Sequence, residues 1–142
     1  MPQPNPWQSY RQVAAQTASP GQLVLMLFDG AIRYLELARQ GFALDDPLEL
    51  NQTVHNNIQK TINIINELNY SLNMEEGGEF AANMRRLYVY MEHTLYESNR
   101  SKKQPGVDDV LKRLGVLRDA WDEMLRSRGS ENSALTSIAA LG

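Results

Sequence analysis

The chain has 142 residues, of which 42% are hydrophobic, so it is long and apolar enough to bury the single core of one domain. Its 14 basic and 17 acidic side chains give a net charge of −3. This balance argues against a sequence-independent nucleic-acid binder, because such proteins need a basic excess to contact phosphates. The chain has no cysteine, which excludes disulfides, thiolate metal sites and thiol nucleophiles.

Two further features bear on the compartment. Residues 1–7 lack the basic and apolar regions of a secretory signal. The longest apolar run, Leu23–Phe28, is too short to span a bilayer. We therefore expect a soluble protein of the cytosol that makes no contact with a membrane.

The first two predicted helices have clear start signals. Ser19–Pro20 supplies an N-cap followed by a proline suited to the first helical position, and apolar residues then recur at spacings of three and four as far as Gly41. Asp46–Pro47 repeats the same signal before a second apolar stripe, Leu50–Leu72. Gly77–Gly78 is a strong helix breaker and predicts the end of this second helical region.

Two more apolar stripes with helical spacing follow, at Phe80–Leu95 and Val107–Leu125, and Pro105–Gly106 separates them. No segment alternates between apolar and polar residues for long enough to indicate a strand. Short connections make neighbouring helices antiparallel. The sequence therefore predicts an all-α fold, an antiparallel up-down four-helix bundle over residues 19–128.

Short segments flank this bundle within the same domain. Residues 1–16 form a predicted N-terminal helical strap, in which Trp7, Tyr10 and Val13 make a short apolar stripe. Residues 129–142 form a tail that we expect to be flexible or docked. Isolated helices this short are unstable in water, so either segment would be ordered only against the bundle.

The sequence offers little support for catalysis. His93 has Glu97 one turn away, but a di-metal bundle needs two Glu-x-x-His pairs, and we predict no metal, no cofactor and no enzymatic activity. His55 leaves a histidine phosphotransfer bundle as an alternative, with Lys60 about a turn beyond it. Asn56 and Asn57 follow His55 where small residues would be expected, which favours an exposed histidine without a chemical role.

The third helix has more apolar surface than one core face requires. Leu87–Met91 is apolar or aromatic nearly all the way round, so Tyr88 and Tyr90 cannot both point to the same core line. The second helix also has a broad apolar face, Ile62–Leu68. Surplus apolar surface on a soluble protein indicates a lid, an oligomer interface or a groove for another polypeptide.

An ordered set of short motifs runs along the chain from about residue 10 to 126. The first helix carries Ala18–Pro20, then Leu23, then Met26–Arg33. The other motifs are Tyr10, Val13, Asn57, Ile58, Lys60, Glu67, Leu68, Ser71, Leu72, Gly77–Glu79, Asn83, Leu87, Tyr88, Tyr90, Met91, Asn99, Leu117, Arg118 and Trp121. Together they resemble FliS, the family of flagellin export chaperones. Phe28 and Ser98 depart from it, standing where tyrosine and alanine are common.

The resemblance implies a helical bundle that binds the C-terminal segment of newly made flagellin, which is disordered when free. Binding would prevent premature polymerisation and aid delivery to the flagellar export apparatus. Further partners would be flagellar export or regulatory proteins, with no nucleic acid involved. The client-binding candidates, chosen by apolarity and family position, are Tyr10, Val13, Leu27, Ile58, Ile62, Ile65, Leu68, Leu72, Met84, Tyr88 and Met91.

Three questions stay open at this level. The strap of residues 1–16 could cover part of the client groove and be displaced by flagellin, or Tyr10 could contact the client directly. The protein could also be an adaptor bundle without a client that forms a homodimer through a Tyr88/Tyr90 face. The sequence does not identify which groove takes the client.

Overall fold

The structure is a computed structural model that describes residues 19–135, with side chains as far as residue 127. Within this range the chain forms α1 (Pro20–Gly41), α2 (Pro47–Tyr70), α3 (Met74–Ser101) and α4 (Pro105–Leu135), and no strand. Helices α1 and α3 each pack against both α2 and α4. The prediction of an all-α, up-down four-helix bundle is confirmed. The predicted strap lies outside the described residues.

The first two helices begin where their capping residues predict. Ser19 Oγ accepts a hydrogen bond from the Gln22 backbone N–H at 3.1 Å. Asp46 Oδ1 accepts from the Leu48 N–H at 3.4 Å. Each bond satisfies a donor that has no partner inside the helix, and a proline occupies the first helical position in both cases.

The junction between α2 and α3 differs from the prediction. The second helix ends at Tyr70, and Asn73 caps α3 by accepting from the backbone N–H groups of Glu75 and Glu76 at 3.2 and 3.0 Å. Gly78, with φ 55° and ψ −129°, is a kink inside the first turns of α3 rather than the end of a helix. The amide cap fixes the helix start ahead of the glycines, so Leu72 lies in the loop and not on the α2 stripe.

The junction between α3 and α4 is short. Lys102 ends α3 in the left-handed conformation, with φ 53°, and its Nζ donates to the Asn99 carbonyl oxygen and to Asn99 Oδ1 at 2.7 and 2.6 Å. Pro105 is the first residue of α4 rather than part of a separating loop. The helix continues to Leu135, past the boundary predicted at residue 128. Residues 136–142 of the predicted tail lie outside the described residues.

One core runs between the four helices. Its buried apolar members are Leu27, Phe28, Ala31, Leu35, Ala38, Val54, Ile58, Ile64, Ile65, Leu68, Tyr88, Met91, Leu95, Val107, Val110 and Leu114. The broad apolar face of α2 is absorbed here: Ile64, Ile65 and Leu68 are at most 1% exposed. Because α2 contacts both α1 and α3, it buries a wide stripe, and of this face only Ile62 stays half-buried.

Polar contacts connect α1 and α4, the first and the last of the four helices. Asp29 accepts from Arg118 Nε at 2.8 Å across the helix interface, rather than pairing with a residue of its own helix. Trp121 Nε1 donates to the Gly21 carbonyl oxygen at 2.9 Å. These contacts hold the first turns of α1 against α4. Within the described residues, no helix is both long and apolar enough to cross a membrane.

Candidate functional site

The eleven candidate residues fall into three groups. Tyr10 and Val13 lie outside the described residues. Ile62, Leu72 and Met84 are half-buried. The remaining six are buried in the core, namely Leu27, Ile58, Ile65, Leu68, Tyr88 and Met91. The closed bundle does not expose these six side chains to a client, which could reach them only if the helices separated. Their role in binding stays a prediction.

Tyr88 and Tyr90 on α3 point in different directions, as their spacing predicts. Tyr88 is 3% exposed and Tyr90 is 44% exposed, which confirms that they do not share one core line. Burial raises the pKa of the Tyr88 hydroxyl because its charged form would lose its hydration. In the closed bundle a dimer interface on this part of α3 would use Tyr90 and not Tyr88, and the homodimer stays a prediction.

Half of the large apolar side chains that are exposed among the described residues lie on α3. The exposed large apolar side chains of the described range are Leu37, Leu44, Leu48, Tyr70, Met74, Phe80, Val89, Tyr90, Tyr96 and Val116. Five of these ten are on α3, which agrees with the surplus predicted for that helix. Sequence reasoning missed Phe80, Val89, Tyr96 and Val116 as candidates. Such residues can be recognised in the sequence as apolar residues outside the apolar stripe of their helix, as Val116 is between Leu114 and Leu117.

An open groove runs between α3 and α4. It contains a cavity of about 370 Å³ lined by Leu87, Asp109, Lys112, Arg113, Val116 and Leu117. We call these six residues the α3–α4 groove. Leu87 and Leu117 are half-buried and pack against the core, whereas Val116 is 63% exposed. The groove therefore has an apolar floor with one projecting apolar side chain.

A polar cluster of Tyr90, Asp109 and Arg113 lies at the α3–α4 groove. The Tyr90 hydroxyl donates to Asp109 Oδ2 at 2.8 Å. Arg113 Nε donates to Asp109 Oδ1 at 3.1 Å, and the Arg113 guanidinium carbon lies 4.7 Å from the centre of the Tyr90 ring. Asp109 is thus shared by both neighbours, and the ring of Tyr90 is fixed against α4.

On its opposite side, α3 contacts α2 through two polar pairs at different positions along the helix. Asn99 Nδ2 lies 2.9 Å from His55 Nδ1, and Arg85 Nε donates to Asn69 Oδ1 at 3.1 Å. Glu92 stands midway between positions 85 and 99 on the same face of α3. Its Oε1 is buried without a hydrogen-bond partner among the described residues, and burial raises the pKa of its carboxyl.

The geometry gives little support to the phosphotransfer alternative. His55 is exposed, but its Nδ1 is engaged by Asn99, and the Lys60 ammonium lies 5.3 Å from the centre of the Tyr34 ring on α1. The lysine is therefore held toward another helix interface. The part of the chain with described side chains contains no group of three potential metal ligands. Glu97 instead binds Arg100 at 2.8 Å, which lowers the pKa of Glu97.

Comparison with known proteins confirms the resemblance to the family. The family model described as flagellar protein FliS matches residues 3–128. The flagellar secretion chaperone FliS of Bacillus subtilis is 33% identical over 135 residues, covering 95% of this chain and 97% of the relative. The chaperone of the same name from Salmonella typhimurium is 36% identical, covering 82% and 87%. The flagellar secretion chaperone FliSB of Pseudomonas aeruginosa is 33% identical, covering 80% and 90%.

Proposed function

The chain belongs to the FliS family of flagellar proteins, and from this premise we propose that it is an export chaperone for flagellin. In the bacterial cytosol it binds the C-terminal segment of newly made flagellin, keeps that segment from polymerising, and delivers it to the flagellar export apparatus. The relatives are named as secretion chaperones, so the protein acts by binding and not by catalysis.

One observation on the bundle supports this proposal: α3 exposes Phe80, Val89, Tyr90 and Tyr96 at several positions around the helix, in addition to the side chains that it buries in the core. Large apolar side chains that gather on one exposed helix are typical of an interaction surface. Tyrosine suits such a site because its ring packs while its hydroxyl stays hydrated. A disordered client that folds as it binds can cover a large surface of this kind in several pieces.

The other two readings have less support. In a phosphotransfer domain we would expect a basic side chain beside His55, whereas the Lys60 ammonium lies 5.3 Å from the centre of the Tyr34 ring on α1. A homodimer is compatible with the exposed side of α3, but flagellin binding would compete with it for the same surface. Contacts with other flagellar export or regulatory proteins would use whatever surface flagellin leaves open.

Isothermal titration calorimetry with a peptide covering the C-terminal segment of the cognate flagellin tests the proposal. We expect saturable one-to-one binding with a negative heat-capacity change, which is the signature of apolar burial. A peptide of the same composition in scrambled order is the control and should not saturate. Absence of binding by the native peptide would contradict the proposed function while leaving the fold unaffected.

A further inference from the structure

A small polar cavity lies where the end of α2 meets α3. Its volume is about 270 Å³, and it is lined by Asn66, Asn69, Tyr70 and Arg85; we call these four residues the Arg85 pocket. Tyr70 is the last residue of α2 and is 88% exposed, so its ring stands in solvent beside the cavity. The cavity is smaller than the about 300–1,000 Å³ of most ligand pockets, and a helix about 10 Å across would not fit inside it. The end of a chain is narrow enough to enter.

Arg85 brings a positive charge to this pocket that no neighbouring carboxylate neutralises. Its guanidinium binds the neutral Asn69, and among the described side chains no carboxylate lies within ion-pair distance of it. The positions three and four residues away on α3 hold two alanines, a tyrosine and a valine, so its own helix offers no acidic partner. Glu67 on α2 and Glu92 on α3 do not line the pocket. The pocket is therefore a locally positive site on a chain with a net charge of −3.

Asn69 also fixes the direction in which the guanidinium faces. Arg85 Nε donates to Asn69 Oδ1 at 3.1 Å, and this bond uses one of the five N–H donors of the group. The N–H groups on the two terminal nitrogens have no acceptor among the described residues. A carboxylate accepts from such a pair of nitrogens through both of its oxygens, and these charged hydrogen bonds are stronger than neutral ones. Arg85 can therefore bind a carboxylate end-on without first breaking a contact inside the bundle.

From the charge, the geometry and the size of this cavity we infer that the Arg85 pocket binds the free C-terminal carboxylate of the client. The carboxylate lies on the terminal nitrogens of Arg85, beside the Asn66 amide, and the last client side chain packs on the Tyr70 ring. The inference rests on the proposed function and refines it, because a client held by its C-terminal segment brings this group with it. Recognition of the chain end fixes the register in which the whole segment lies on the bundle.

Two synthetic forms of the flagellin C-terminal peptide test the inference, one with a free carboxylate and one with a terminal amide. Amidation removes the terminal charge and leaves every client residue in place. In isothermal titration calorimetry the wild type should bind the free acid about tenfold more tightly, the size expected for hydrogen bonds to a charged group. Equal affinities would overturn the inference but not the chaperone proposal, whereas a wild type that binds neither peptide would contradict both.

Arg85→Gln and Arg86→Gln are a matched pair of variants. Both arginines are exposed on α3 and each donates to an asparagine, but only Arg85 lines the pocket. In Arg85→Gln the acid and the amide should bind equally, while in Arg86→Gln the tenfold preference for the acid should remain. Because each variant is measured with both peptides, a general effect on stability or net charge cancels in the ratio. Arg85→Lys should keep part of the preference, since lysine retains the charge but not the planar pair of donors.

The remaining outcomes separate the pocket from the chemical group. A preference for the acid that survives Arg85→Gln would place the client carboxylate elsewhere on the bundle and overturn the assignment to this pocket. A loss in Arg85→Gln that is equal for the two peptides would assign the pocket to an acidic side chain within the client, and would overturn the assignment to the chain end. Circular dichroism melts verify that each variant is folded before its affinities are compared.

Discussion

A methyl group added at position 106 tests how closely α3 and α4 approach each other. Gly106 is the second residue of α4, and a Cβ built there would collide with Ser98 Oγ and lie 3.2 Å from Thr94 Cγ2. Ser98 is 5% exposed, so its side chain has little room to move away. Overpacking costs about 1–3 kcal/mol, while alanine in place of glycine returns up to about 1 kcal/mol in a helix. We therefore expect Gly106→Ala to lower the free energy of unfolding by about 1–2 kcal/mol.

Gly115 provides the matched control on the same helix. No described atom lies within 4 Å of a Cβ built at Gly115, so Gly115→Ala should raise the free energy of unfolding by up to about 1 kcal/mol. Urea unfolding followed by circular dichroism measures both variants. Adding Ser98→Ala to Gly106→Ala should recover part of the loss, because it removes the oxygen that collides. Equal unfolding midpoints for the two glycine variants would refute the close approach of α3 and α4.

Two further substitutions test single groups. Burial holds the folded-state pKa of Glu92 above its ordinary value of 4.5, so folding favours the protonated acid, and stability is lost as the pH rises through the folded pKa. The melting temperature of Glu92→Gln should therefore exceed that of the wild type at pH 7, and this difference should shrink below about pH 4.5. Glu97→Gln is the control, and because it loses its Arg100 partner its melting temperature should not rise. Trp121→Phe removes the 2.9 Å hydrogen bond to the Gly21 carbonyl oxygen. It should lower the free energy of unfolding, measured in urea, by about 0.5–1.5 kcal/mol and speed amide exchange in the first turns of α1. An unchanged urea midpoint would show that this bond does not stabilise the bundle.

The helix order could be predicted from the sequence because local signals and the global fold agree in most places. Ser19 and Asp46 cap the helices that follow them, and the apolar spacing gives each helix its inner face. Agreement fails at the glycine pair. Gly78 is compatible with a helix end or with a kink, and the choice is made by Asn73, whose side chain satisfies two backbone donors earlier in the chain. A breaker residue marks an unusual backbone conformation, but capping decides where the helix begins.

The candidate site was less predictable for a physical reason. Apolar spacing identifies the side of a helix that packs, so residues chosen for belonging to the stripe, such as Ile58 and Met91, are those that the bundle buries most completely. Residues available to a client are apolar and off the stripe. Which of these share a groove depends on how neighbouring helices are placed, and a single sequence does not contain that placement. Leu87 and Val116 come together only because α3 and α4 are antiparallel neighbours.

Under the proposed function, helix α3 uses its buried side for stability and its exposed side for binding. Its inner side, with Met91 and Leu95 fully buried, contributes to the core. Exposed polar contacts such as Tyr90 with Asp109 add about 0.5–1.5 kcal/mol each at most, yet they fix the orientation of the helix on α4. A groove held in place before the client arrives needs less reorganisation on binding. Under the proposed function, a polar substitution on the exposed side of α3 should therefore change client affinity far more than it changes the melting temperature of the bundle.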